Sequence, residues 1–179
     1  MSKVNAAYRT LHDYSSRCKE TSTGLPKTEE LKKYWSGIGF SLEGKNYVAP
    51  LNETAEILQI PAYTSVPGVK KWLRGVANVR GKLLPVLDLL SFLNSDKKAN
   101  IKTRRLLVIE KNTLYSGVIV DKVYGMQHFD TDDYSEEISE ENNKTAPYIT
   151  GSYSRDGETW RVFSPYRLSE DPDFINVAS

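Results

Sequence analysis

The chain is poor in the side chains that most often carry chemistry: among 179 residues there is one cysteine, Cys18, and there are two histidines, His12 and His128. A single cysteine excludes an internal disulfide framework, a zinc ribbon and a CxxC redox pair, and it fits a reducing compartment. A free cysteine is more often a small buried hydrophobe than a nucleophile, so Cys18 is expected to pack rather than react. Two distant histidines leave a zinc site short of ligands. Nowhere are there about eighteen consecutive apolar residues, as a spanning helix requires. The opening MSKVNAAYRTLHDYSSRC carries charges throughout and lacks the apolar core of a signal peptide, so the expected location is the cytoplasm. Net charge is only +1, and no bulk field draws the chain to nucleic acid or to an anionic membrane.

Phosphate- and metal-binding loops are absent as well. The run from Gly75 to Lys82 superficially resembles a phosphate loop, but it has one residue too many between its glycines, and Leu83 stands where a magnesium-binding hydroxyl should be. Gly37-Ile38-Gly39 lacks the third glycine of a dinucleotide fingerprint, because position 42 is leucine. Asp130-Thr131-Asp132-Asp133 lacks the glycine and the terminal glutamate of a calcium loop. No catalytic constellation emerges, and the chain reads as a non-enzyme without a cofactor or metal.

What is present describes an ordered globular protein, 39% hydrophobic and 26% charged. Its length suits one compact unit or two tightly joined subdomains. Charge is locally uneven: ten Lys and Arg against two acids from Lys70 to Arg105, then seven acids and no base from Asp130 to Glu141. Such runs are usually solvated faces; the sharper reading is two oppositely charged docking surfaces.

Val4, Ala7, Tyr8, Leu11, Tyr14 and Cys18 fall at helical spacing, a stripe expected to pack on the body and to stop at Gly24 and Pro26. Thr28 to Trp35 could form a second short helix. From Ser36 the period becomes alternating. Ile38, Phe40 and Leu42, a turn at Glu43 to Asn46, and Tyr47, Ala49 and Leu51 make a hairpin. Residues 53–60 are ambiguous between helix and strand. Gly75–Val79 and Lys82–Leu87 form a hairpin around Arg80-Gly81, with Pro85 implying an unpaired or bulged edge and Asp88 placed to cap Leu89–Leu93. A polar linker follows. Arg104–Glu110 with Leu114–Val123, and Tyr148–Tyr153 with Glu158–Phe163, make two more hairpins, and a short strand is expected at Met126–Phe129. The acidic segment from Asp130 reads as a loop or frayed helix. Short strands at regular spacing argue for small barrels or a sandwich.

The run VPGVKKWLRGVANVRGKLLPVLDL, from Val66 to Leu89, resembles the signature of the CheW family, the coupling proteins that join chemoreceptors to the CheA histidine kinase. Similarity extends from about Gly39 to Pro165 and includes SGVIVDKVYGM at Ser116 to Met126; WSGIGF, PLNETAEIL and the helical extension resemble the family's type IV pilus and twitching-motility branch. The resemblance implies a mainly β fold: two SH3-like five-stranded β-barrel subdomains with a helical N-terminal extension. The expected divisions are residues 1–35 (extension), 36–93 (first barrel), 94–102 (linker), 103–170 (second barrel) and 171–179 (tail). It further implies that Arg80 and Glu56 form a charge pair near the surfaces used by receptor and kinase, with Gly75, Asn78 and Gly81 holding the turn and Val79, Lys82 and Leu83 beside it. The implied partners are the SH3-like regulatory domain of a CheA-like histidine kinase and the cytoplasmic tip of a methyl-accepting chemoreceptor, with no nucleic acid and no membrane insertion. The usual C-terminal helix of the family is reduced to a short tail here.

A rival from another class is a nucleic-acid-binding small β-barrel, motivated by the basic stretch and by aromatics such as Trp72. Against it, the aromatics are not interleaved along one basic strand.

Overall fold

The computed structural model describes residues 3–21, 33–95, 102–111, 114–137 and 144–178. Residues 1–32 and 33–179 are separate units. The first contains helix α1 (Lys3–Thr21), on which Tyr8, Leu11 and Tyr14 are exposed and Asp13 pairs with Arg17 one turn on at 3.3 Å. Cys18 is exposed, contrary to the expected burial. The stop at Gly24 and Pro26, and residues 28–32 of the second expected helix, lie outside the described residues; Tyr34 and Trp35 are extended, not helical.

In the second unit the chain forms β1 (Tyr34–Leu42), β2 (Lys45–Pro50), β3 (Thr54–Leu58), β4 (Leu73–Val79), β5 (Lys82–Asp88), helix α2 (Leu89–Phe92), β6 (Arg105–Lys111), β7 (Leu114–Val120), β8 (Lys122–Asp130), β9 (Tyr134–Ser135), β10 (Ile149–Arg155), β11 (Glu158–Phe163), and helices α3 (Pro165–Glu170) and α4 (Pro172–Ile175). The ambiguous segment is thus a strand after one short 3₁₀ turn. The four hairpins expected from the sequence, β1–β2, β4–β5, β6–β7 and β10–β11, all pair. No helix of the described residues is long and apolar enough to cross a membrane.

Two sheets result, in the orders β8-β1-β2-β11-β10-β9 and β3-β6-β7-β5-β4. This differs from the expected succession of one barrel at 36–93 and another at 103–170. β1 and β2 pair with β8 and β11 from the far end of the sequence, and β3 to β7 make the other sheet. Likewise Leu114–Val123 is not one strand: β7 ends at Val120, and the chain crosses at Asp121 into nine-residue β8, absorbing the short strand expected at Met126. Neither sheet closes by hydrogen bonds, but in each the two edge strands are consecutive along the chain. Pro85 sits where the parallel ladder from β5 to β7 has not yet begun, since that ladder starts at Val86.

Alternate residues of the inner strands serve different cores. Leu107, Ile109, Val118 and Val120 join Phe40, Leu42, Tyr47 and Phe163 in the core between the sheets. Their neighbours Leu106, Val108 and Ile119 fill the interior of the second sheet with Ala77, Leu84 and Val86. Val48, Phe129, Tyr153, Trp160 and Val162 fill that of the first. Strands buried on both faces read as continuous apolar runs, which is why residues 106–109 show no polar alternation. The C-terminal tail packs against the body: Phe174 stacks on buried Trp72 at 5.6 Å between ring centroids, and the Lys70 amide donates to the Val177 carbonyl at 2.9 Å.

One buried carboxylate ties the base of the β4–β5 hairpin to β6. Asp88 caps α2 through the Ser91 amide, accepts from Arg74 Nη2 at 2.7 Å, and accepts from Arg104 Nη2 at 2.6 Å and Nη1 at 3.1 Å. Burial alone would raise its pKa, but the hydrogen bonds from Arg104 and Arg74 outweigh burial and hold it below 3.8. A carboxylate depressed in this way contributes stability above its unfolded pKa, and that contribution is lost as pH falls through the folded value. Asp121 behaves oppositely, because burial raises it. At the same end of β4, next to Arg74, Gly75 has φ +150°, and a Cβ there would lie 2.1 Å from the Thr64 carbonyl oxygen. Thr64 and Val76 exchange two backbone hydrogen bonds of 2.9 Å across this crossing.

Asp88→Asn is expected to cost about 3 kcal/mol in chemical denaturation, since it leaves two guanidiniums with a weakened partner. The variant should also lose less stability than the parent on acidification below about pH 4. Gly75→Ala is expected to destabilise by roughly 2 kcal/mol or more, because neither the backbone angle nor the space accepts a methyl group.

Candidate partner-docking site

The β4–β5 connection has two residues, Arg80 with φ +54° and Gly81 with φ +82°. Two successive positive φ values give the turn whose twist matches the flanking strands. Asn78 stabilises it from the strand end, its Oδ1 accepting from the Gly81 amide at 2.9 Å. Val79 is half-buried and packs against the interior of the second sheet, which anchors the tip from beneath. Gly75 lies at the other end of β4, where the crossing segment through Thr64 clamps the strand.

Arg80 stands 78% exposed, and its Nη2 lies 2.5 Å from Oε1 of Glu56, which is 26% exposed. Glu56 lies on β3, one edge of this sheet, and the β4–β5 hairpin forms the other. The ion pair therefore spans the open seam of the curled sheet. Lys82 Nζ lies 5.5 Å from the centre of the Tyr115 ring, and Leu83 is 72% exposed. The tip thus presents a cation paired with a carboxylate, with exposed Leu83 on the adjoining strand.

All eight residues expected from the resemblance thus belong to this hairpin or face its tip: seven lie on or at the ends of β4 and β5, and Glu56 approaches across the seam. Two supports were missed. Tyr115 beneath Lys82 carries no signal in its own strand, and Thr64 lies in a loop whose pairing with Val76 is visible only in three dimensions. His128 Nδ1 lies 2.7 Å from Ser36 Oγ, remote from His12 in sequence and on the body unit. Among the described residues no group of three His, Cys, Asp or Glu could hold a metal ion. Trp72 is buried under Phe174, so it offers no face for stacking a base.

Comparison with known proteins agrees with this geometry. The profile of the CheW-like domain matches residues 36–173. Protein PilI of Pseudomonas aeruginosa is 44% identical over 178 residues, covering 99% of both chains. Chemotaxis protein CheW of Helicobacter pylori is 32% identical over 139 residues, covering 75% of this chain and 83% of that one. The crystal structure of the scaffolding protein TtCheW from Thermoanaerobacter tengcongensis superimposes with a TM-score of 0.69 over 79% of this chain and 96% of that one; at 22% identity it bears on the fold alone. A mainly β chain with two interleaved sheets, a rigid arginine-bearing hairpin and these relatives belongs to the CheW-like domain family, whose members are scaffolds and not enzymes.

Proposed function

We propose that the chain is a cytoplasmic adaptor that joins the tip of a methyl-accepting chemoreceptor to a CheA-like histidine kinase, in the chemosensory pathway that controls type IV pili and twitching motility. The observation that carries this reading is the Arg80–Glu56 pair at 2.5 Å on the glycine-backed tip. An exposed pair adds only about 0 to 1 kcal/mol to stability. Its value lies in holding a guanidinium and a carboxylate in fixed relative positions, which favours orientation and association rate. Around it, Leu83 and Val79 supply apolar contact, while Gly75, Asn78, Gly81 and Lys82 keep the tip in shape.

In this reading the two sheets are SH3-like barrels with interleaved strands, one from β3 to β7 and the other from β1, β2 and β8 to β11. The barrel bearing the tip lays its edge against the related barrel of the kinase, and the groove between barrels takes the helical receptor tip. Coupling comes from simultaneous contact with both partners, without any bond being made or broken. Similarity to PilI over nearly the full length supports the pilus branch.

Arg80→Glu should abolish co-purification with receptor or kinase while changing unfolding free energy by no more than about 1 kcal/mol. Retained binding of both partners would overturn the reading. The Glu56→Arg/Arg80→Glu exchange keeps an ion pair but reverses what the partner meets, so binding should stay lost; recovery would make the pair structural. Gly81→Ala, placed at φ +82°, should cost about 1 kcal/mol in stability and weaken kinase binding less than Arg80→Glu does.

A further inference from the structure

The basic stretch from Lys70 to Arg105 is only partly used by this docking surface. Arg80 goes to Glu56, and Lys70 lies 4.0 Å from Asp173. Four of the others, Arg74, Lys102, Arg104 and Arg105, gather around one cleft of about 590 Å³, and among its described lining residues Asp88 is the one carboxylate. Strands β4 and β6 and the segment leading into β6 bring them together.

The guanidiniums here are held in place before any ligand arrives. Arg74 and Arg104 are fixed on the two oxygens of Asp88. Arg105 Nη1 donates to the backbone carbonyls of Arg104 at 2.8 Å and Lys102 at 3.2 Å. Each guanidinium has five N–H donors, so donors remain after these bonds, and anchored donors engage an anion without a large ordering cost. Arg104 Nε is buried without a hydrogen-bond partner, 3.9 Å from Asp121 Oδ1. The four cations outnumber Asp88 and the neighbouring Asp121, and the low-dielectric walls focus a positive potential into the cleft. Planar forks of this kind match phosphate oxygens two at a time.

The remaining walls limit what else the ligand carries. Ile60 and Ile119 are apolar, and Tyr63, 42% exposed, offers a ring face. The volume lies within the range of small-molecule sites. A nucleic-acid strand would need a groove with successive stacking aromatics, which this cleft does not offer.

We propose that the cleft binds a small phosphate-bearing molecule of mononucleotide size, its phosphate held by Arg105, Lys102 and the remaining donors of Arg74, its planar portion against Tyr63. The site is separate from the Arg80 tip and does not depend on the adaptor reading.

Isothermal titration of the full chain with AMP and with inorganic pyrophosphate, at constant ionic strength, tests it. Saturable one-to-one binding of AMP is expected, with Kd below about 1 mM. Lys102→Glu with Arg105→Glu should weaken it at least about tenfold. The reversal Lys33→Glu, just before β1 and at the end opposite the Ser41 contact with Asp121, should leave it unchanged. Arg105→Gln keeps the comparison available should the double reversal not fold, and it should weaken AMP in the same direction. No saturable heat with either probe, equal weakening by Lys33→Glu, or tighter binding of an acidic peptide than of AMP would each overturn the proposal.

Discussion

In the middle of the body, β2, β6 and β7 have stretches dry on both faces, and this two-sided burial constrains everything around them. A strand with one wet face can drift in register at modest cost. Here a slip by one residue would exchange the contents of two cores at once, so Val108 and Ile109, which face different cores, cannot trade places without overfilling one and leaving a void in the other. The sheets are locked to each other as firmly as the strands within them. What remains for contact with other molecules is the perimeter of turns, edges and seams.

The Arg80 tip exploits that division. Its root is fixed by the Asp88 cluster and by the Thr64 crossing, its middle by Val79, and its end by Asn78. A long cationic side chain on a mobile loop loses rotational freedom whenever it binds. In the proposed docking role, the contact with Glu56 removes part of that freedom beforehand, which leaves less for partner binding to remove. A CheW-like scaffold gains from such economy, because it has no chemistry with which to make a weak encounter productive.

Much of this was legible in the amino-acid order. Period-two alternation marks the first hairpin, continuous apolar runs either side of a polar turn mark β6–β7, and a lone Arg-Gly pair between apolar runs marks the tight turn. Asp88 before Leu89 marks the cap. The information that failed to surface is relational. Alternation shows that residues 36–42 form a strand but not that β8 is their neighbour, because a hydrogen-bond ladder leaves no trace in composition. Tyr34 and Trp35 extend the first strand against that distant partner, overriding a local sequence that reads as helical. The break at Asp121 carries no glycine or proline to mark it, and it falls where buried β7 gives way to β8, which opens with exposed Lys122 and half-buried Val123. Asp88 looked like a cap and nothing more, because the arginines that make it a hub stand on other strands.

The interleaving also sets an order of events during synthesis. The hairpin of β1 and β2 leaves the ribosome first, yet Asn46 finds its partner only when Trp160 emerges. Meanwhile residues 54–120 can complete every ladder of their own sheet. Between the synthesis of residue 120 and that of residue 160 the nascent protein therefore carries one completed sheet and a β1–β2 hairpin that still lacks β11, a state open to chaperones and to wrong pairings.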